Sequence, residues 1–230
     1  MPAVKALLLE NVHPDAERIL TERGYEVETQ TEALPPEELS AALAGVSLLG
    51  IRSATHVTAE VIAANPQLQA VGAFCIGTNQ IDLNAASDAG LAVFNAPFSN
   101  TRSVVELALA EIIALARRLV DKNRGLHDGV WDKSASGSHE VRGRTLGIVG
   151  YGNIGSQLSV LAEALGMRVI FFDIVDKLAL GNARRCETLE ELLGEADVVS
   201  LHVDGRPGNA GIFTAAEFAK MKPRALFLNL

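Results

Sequence analysis

A glycine-rich turn set between a strand and a helix constrains this chain more than any other feature. Leu146-Gly147-Ile148-Val149 reads as a short buried strand, and Gly150-Tyr151-Gly152-Asn153-Ile154-Gly155 follows it as G-x-G-x-x-G. A helix is expected from about 154 to 165, with Leu158, Leu161 and Leu165 on one face and Gly166 as its stop. Residues 168–172 read as the next strand, which ends at Asp173. Gly150 permits the tight turn, Gly152 lets backbone approach a pyrophosphate, and Gly155 lets the helix pack on its strand. The helix start then offers unpaired N–H groups and a positive dipole end to phosphates. Alone the glycine motif is weak, but with strand, helix and an acid about 20 residues on it specifies a dinucleotide-binding βαβ unit. Asp173 would accept hydrogen bonds from the adenosine ribose and repel a 2′-phosphate, and no arginine follows it directly. NAD rather than NADP is therefore the expected cofactor.

The rest of the chain repeats the same alternation. Apolar runs at 6–9, 47–51, 69–73 and 91–94, with a weaker one at 25–29, read as buried parallel strands. Helices are expected near 13–23, 36–43 and 58–64, punctuated by Gly24, Gly45 and Asn65-Pro66. This pattern predicts an α/β chain of two doubly wound parallel-sheet domains. Residues 1–98 form a flavodoxin-like domain, and 99–230 form an incomplete Rossmann domain with later strands at 183–186, 198–201 and 225–228. Ser103 and Glu106 read as a capping box that opens a helix running to about 120. That helix is apolar on nearly every face and is expected to be buried on both sides, between domains or between subunits. Residues 122–143, with Trp131 and a Ser/Gly-rich stretch, read as an exposed arm or long loop.

Composition removes several classes of partner. The formal charge of −8 argues against nucleic acid, whose recognition needs clustered Lys and Arg. No apolar stretch reaches the roughly 18 residues of a membrane span, and the start, Met1-Pro2-Ala3-Val4-Lys5, lacks a secretory apolar core. The two cysteines, Cys75 and Cys186, make no metal-ligand spacing and no metal is expected; a reducing, cytoplasmic setting is.

Three further stretches, Ile51-Arg52-Ser53-Ala54-Thr55, residues 74–82 around Cys75-Ile76-Gly77-Thr78-Asn79, and Phe94-Asn95-Ala96-Pro97 through Ser103, carry a resemblance more specific than the glycine motif. With them the chain resembles, over essentially all 230 residues, the D-isomer-specific 2-hydroxyacid dehydrogenases, and within them the branch that oxidises 3-phosphoglycerate to 3-phosphohydroxypyruvate. The resemblance implies a small anionic 2-hydroxy or 2-oxo acid as substrate and a homo-oligomer built through roughly 103–131. It implies that Gly150, Gly152, Asn153, Ile154 and Gly155 hold the cofactor pyrophosphate and Asp173 the ribose, with Val104 near the nicotinamide and His202 bordering the crevice. Arg52, Ser53, Ile76, Gly77 and Asn100 match the substrate-side loops, where backbone N–H groups and an arginine could hold carboxylate and phosphate. Asn100 reads equally as a helix-entry residue, Lys133 is a weaker candidate for the same anion, and Cys75 reads as a small buried hydrophobe. Where some relatives place an arginine in the first loop, this chain has Ala54.

Hydride transfer from a 2-hydroxy acid also needs a cation to polarise the developing carbonyl, a base, and a carboxylate to orient that base. The resemblance implies Arg, Glu and His for these roles, the arginine about two residues past the strand that closes this chain. No catalytic residue is therefore expected among the 230, and the chain alone is expected to be inactive. Two other readings stay open: a dehydrogenase of glycerate or 2-hydroxyglutarate, or a non-catalytic NAD-binding module.

Overall fold

In the computed structural model, residues 4–205 and 207–230 are described. Met1-Pro2-Ala3, part of the start read above as lacking a secretory core, lies outside the described residues. The chain divides into two compact units, Met1–Ser99 and Asn100–Leu230.

In the first unit the order is β1 (Lys5–Leu8), α1 (Pro14–Glu22), β2 (Glu26–Thr29), α2 (Pro36–Ala42), β3 (Val46–Ile51), α3 (Ala59–Ala64), β4 (Ala70–Ala73), α4 (Leu83–Asp88) and β5 (Ala92–Asn95). All strand pairs are parallel, in the order β2-β1-β3-β4-β5. This is the flavodoxin-like order, with its switch point between β1 and β3. Because strand side chains alternate, Leu7, Leu49, Ile51, Val71 and Ala73 share one face and meet Leu39, Val61, Ile62 and Ala86 of α2, α3 and α4. Each fully buried side chain of this size contributes about 1.5–3 kcal/mol. Ala6 and Leu8 are buried on the opposite face, where α1 presents no fully buried residue. Short side-chain caps start the helices: Thr58 accepts the N–H of Val61 ahead of α3, and Asp82 that of Ala85 ahead of α4.

The second unit runs α5 (Thr101–Ala116), α6 (Leu119–His127), β6 (Thr145–Val149), α7 (Asn153–Ala164), β7 (Arg168–Phe172), β8 (Arg184–Arg185), α8 (Leu189–Glu195), β9 (Val198–Leu201), a 3-10 turn at Pro207–Asn209, α9 (Ala215–Lys220) and β10 (Leu226–Asn229). Its parallel order, β10-β9-β6-β7-β8, is that of a dinucleotide-binding sheet, and β10 is its edge strand. Alternate residues feed two separate cores. Leu146, Ile148, Val169, Phe171 and Val198 pack with α5 and α7, while Val149, Ile170, Val199 and Leu201 pack with α8. Gly147 is needed for the second layer, since a Cβ there would sit 2.7 Å from Leu192 and 2.9 Å from Ala196. The sheets are thus doubly wound α/β layers.

Two expectations need correction. Ser103 and Glu106 do not form a capping box. The helix begins three residues earlier, after Asn100, because Thr101, Val105, Ala108, Ile112 and Ala116 form its buried stripe, and Glu106 instead pairs with Arg102 at 2.7 Å. Nor does that helix run unbroken to 120: Arg118, at φ +55°, breaks it into α5 and α6, so residues 122–127 are helical rather than loop. Within its own unit α5 buries one stripe and leaves Leu107, Ile113 and Leu115 exposed.

Candidate functional site

The fingerprint turn lies at the carboxyl ends of the second sheet's strands, where the strand order reverses between β6 and β9. Gly150 has φ +92°, and a Cβ on it would lie 2.6 Å from the carbonyl oxygen of His202, so the position accepts only glycine. A Cβ on Gly155 would run into the carbonyl oxygen of Gly150 and lie 2.9 Å from Ile148; this closeness seats α7 against β6. Gly152 differs: nothing lies within 4 Å of where its Cβ would point. Its missing side chain leaves open room beside the first amides of α7, the space a pyrophosphate would need.

Tyr151, between the glycines, is an anchor that spacing alone does not reveal. Its ring is buried and stacks on Phe171 with centroids 3.8 Å apart. Its hydroxyl lies 2.7 Å from Ser159 Oγ and accepts the N–H of Leu180 at 3.2 Å. Its backbone N–H donates to Asp173 Oδ2 at 2.8 Å, and the N–H of Val175 donates to Oδ1 at 2.9 Å. Asp173 is therefore aimed by two amides, and a carboxylate with about four acceptor sites keeps capacity for ribose hydroxyls.

Gly150, Gly152, Asp173 and His202 line one crevice of about 230 Å³, together with Val149, Phe172, Val203 and Ile212. The residues present fit a dinucleotide: a glycine with open space, the amino end of a helix, an oriented carboxylate and apolar walls. Burial pushes the His202 imidazole down to about 4, so it is neutral at pH 7; its Nε2 lies 2.8 Å from Ser200 Oγ. Asn153 and Ile154 open α7, and the partly buried Ile154 side chain packs against the core. Val104, half-buried on the first turn of α5, does not line the crevice. A second hollow, of about 560 Å³, lies at the amino end of this sheet. In its lining Arg184 pairs with Glu195 at 2.6 Å, and it is remote from the strand ends where such sheets bind ligands.

In the first unit, Arg52, Ser53, Ile76 and Gly77 gather in two loops at the carboxyl ends of β3 and β4. Arg52 and Ser53 are exposed, and Arg52 has no ion pair among the described residues. Glu10, at the end of β1, accepts the backbone N–H groups of Arg52 at 3.0 Å, Ala54 at 2.9 Å and Thr55 at 2.9 Å. Burial raises its carboxyl, but those amides outweigh it and hold it below the usual carboxylate range. Buried Gln80 donates through Nε2 to the carbonyl of Arg52 at 2.8 Å and of Gly77 at 3.3 Å. Asn95 donates to the carbonyl of Ile76 at 2.7 Å. Cys75 is half-buried and packs against the core of the first unit, its Sγ 3.2 Å from the Gly77 carbonyl and 3.3 Å from Gln80. Asn100 makes no side-chain cap bond; its carbonyl accepts the Val104 N–H at 3.0 Å as α5 begins. Exposed Lys133 lies with Nζ 5.9 Å from the Trp131 ring centre. Glu10, Gln80 and Tyr151 were not singled out from the sequence, because each acts on residues distant along the chain. Among the described residues no cluster of His, Cys, Asp and Glu could hold a metal, and no helix is long and apolar enough to cross a membrane.

Residues 109–230 match the family model of the D-isomer specific 2-hydroxyacid dehydrogenase, NAD binding domain. Among curated proteins, the chain is 54% identical over 227 residues to D-3-phosphoglycerate dehydrogenase of Haemophilus influenzae, covering 98% of this chain and 55% of that protein. It is 52% identical to D-3-phosphoglycerate dehydrogenase 1 of Saccharomyces cerevisiae, covering 98% of this chain and 48% of that one. The chain thus spans about half the length of these curated relatives. Among solved structures, the TT0316 protein from Thermus thermophilus superposes with a TM-score of 0.87 at 32% identity, covering 97% of this chain and 72% of that one. Sheet order, glycine geometry and the oriented Asp173 agree with these matches, and the chain belongs to the D-isomer specific 2-hydroxyacid dehydrogenases and carries their NAD-binding domain.

Proposed function

We propose that this chain supplies the cofactor-holding and anion-holding parts of an NAD-dependent dehydrogenase that oxidises 3-phosphoglycerate to 3-phosphohydroxypyruvate. The observation that carries the reading is the pairing of two built features. One is a crevice whose open glycine and amide-aimed carboxylate suit a dinucleotide. The other is an exposed arginine on a loop held rigid at the end of the first sheet. The names of the curated relatives support the substrate.

The amides opening α7 receive the pyrophosphate, and Gly152 keeps their approach open. Asp173 accepts the adenosine ribose hydroxyls, and its negative charge disfavours a 2′-phosphate. Neutral His202 borders the cofactor without adding charge beside the diphosphate. Bound NAD would supply the acceptor for the hydride that leaves the substrate's C2. Arg52 binds carboxylate or phosphate, its planar fork matching either anion in two parallel hydrogen bonds, and Ser53, Ile76, Gly77 and Asn100 complete the substrate side. The substrate domain extends over 1–98 and the cofactor domain over 99–230.

The same reading makes the protein a cytoplasmic homo-oligomer. Cys75 and Cys186 are free thiols, in keeping with a reducing compartment. The exposed Leu107, Leu115, Leu119, Val120 and Trp131 on and after α5 and α6 favour a second copy as their cover.

Fluorescence titration of the wild type and Asp173→Ser with NAD and NADP tests the cofactor assignment. The substitution weakens NAD and narrows its advantage over NADP; an unaltered preference removes Asp173 as the ribose ligand. NADH oxidation by the full-length protein with 3-phosphohydroxypyruvate, set against the 2-oxo acids of glycerate and 2-hydroxyglutarate, tests the substrate. A preference for either alternative overturns it.

A further inference from the structure

The peptide that carries Arg52 is gripped from both sides by side chains that come from elsewhere in the first unit. On one side Glu10 takes three amides of the loop, Oε1 accepting from Arg52 at 3.0 Å and Thr55 at 2.9 Å, and Oε2 from Ala54 at 2.9 Å. On the other, Gln80 Nε2 donates to the Arg52 carbonyl at 2.8 Å, and the same amide reaches the Gly77 carbonyl at 3.3 Å. The N–H and the C=O of Arg52 are both fixed, and the two loops on which the anion reading rests are joined through one buried carboxamide.

The backbone around Glu10 points the same way. Glu10 and Asn11 sit at φ +60° and +53°, a left-handed pair that residues with side chains adopt only when their surroundings enforce it. This turn brings the Glu10 carboxylate back over the end of β3. Its charge is met by the three amides, and Arg52 forms no ion pair with it or with any other acid among the described residues. The clamp therefore fixes the loop without consuming the cation, and the guanidinium stays exposed for an incoming anion.

We propose that Glu10 and Gln80 are positioning residues for the substrate anion, acting through Arg52. They preorganise the Arg52 loop so that the ordering cost of binding carboxylate or phosphate is met before the ligand arrives. The inference rests on the reading of Arg52 as the anion ligand.

Calorimetric titration of the full-length protein with 3-phosphoglycerate, and separately with NAD, tests it in the wild type, Glu10→Gln, Arg52→Ala and the double variant. Glu10→Gln, left with one acceptor oxygen in place of two, weakens 3-phosphoglycerate about tenfold and leaves NAD unchanged. In the Arg52→Ala background the same change has no further effect on 3-phosphoglycerate, because the residue through which it acts is gone. An equal loss with and without Arg52 makes the clamp merely structural and overturns the proposal, as does no loss in the Arg52 protein. If Arg52→Ala itself binds 3-phosphoglycerate like the wild type, the anion reading falls first and takes the proposal with it. Should Glu10→Gln also lose NAD binding through misfolding, Gln80→Met is read in the same cycle, with the same outcomes deciding.

Discussion

Two neighbouring glycines offer a clean separation of folding from binding. Gly150→Ala places a Cβ at φ +92°, 2.6 Å from the His202 carbonyl oxygen and 2.8 Å from its carbonyl carbon. The left-handed conformation costs an L-residue about 1–2 kcal/mol. The clash is with the main chain after β9, which has no flexible end to swing aside, and overpacking of this kind costs about 1–3 kcal/mol. The expected loss is about 2–5 kcal/mol, a fall of roughly 5–15 °C in the melting temperature of the second unit. Gly152→Ala is the mirror case. Its φ is −84°, nothing lies within 4 Å of the new methyl, and the change stiffens the unfolded chain. Its melting temperature should equal or exceed the wild type. NAD affinity should nevertheless drop about tenfold or more, since the methyl occupies the space left for the pyrophosphate. Circular-dichroism melts and NAD titrations on the same preparations decide the matter. A Gly152→Ala protein that melts early, or that binds NAD as the wild type does, refutes the reading of that open space; a Gly150→Ala protein of wild-type stability refutes the steric account of the turn.

Other perturbations follow from the same structure. His202 has its folded pKa pushed down to about 4 from 6.5. Its contribution is therefore whole above pH 6.5 and drains away as pH falls towards 4, by about 3 kcal/mol at most. Urea melts between pH 7 and 5.5, above most of the carboxylate range, should show the upper part of this slope, and His202→Asn should flatten it; equal slopes would disprove the burial argument. Asp197 accepts the buried N–H of Thr145 at 2.9 Å and the Lys222 ammonium at 3.2 Å, so Asp197→Ala should cost about 1–3 kcal/mol in chemical denaturation by orphaning that amide. A change within experimental error would show the amide finds water instead. If the proposed homo-oligomer forms through α5 and α6, Leu119→Asp, at a position 60% exposed, should lower the sedimentation coefficient without lowering stability. Leu109 would be a poor choice for that test, being packed against the core. An unchanged sedimentation coefficient counts against α5 and α6 as the interface.

Where a feature depends on residues close in sequence, it was legible beforehand. The βαβ unit from Thr145 to Asp173 is one such feature: apolar runs, glycines and a helix stop all lie within thirty residues, so local rules suffice. Strands β1, β3 and β4 of the first unit were legible for the same reason, as continuous apolar runs in the middle of the sheet, whereas the edge strands β2 and β5 are largely exposed. Helices α4, α8 and α9 were not anticipated, although α2 and α3, of the same six or seven residues, were. The caps of α8 and α9 were nonetheless visible as Thr188-x-x-Glu191 and Thr214-x-x-Glu217, the second forming a complete capping box. Ser103-x-x-Glu106 has the same spelling and forms none. Spelling does not decide between them; the start of α5 is set by which residues the core of the second unit buries.

The sequence by itself determined the α/β class, the fingerprint and its acid, because these follow from backbone sterics and from periodicity within one supersecondary unit. Only the tertiary structure decided what orients the functional side chains. Glu10 meets residues more than forty positions away, Gln80 ties Arg52 to Gly77, and Tyr151 stacks on Phe171 beneath the glycine turn. Such contacts exist only once parallel strands have brought their carboxyl ends side by side, and no local preference of a residue encodes its partner across the sheet.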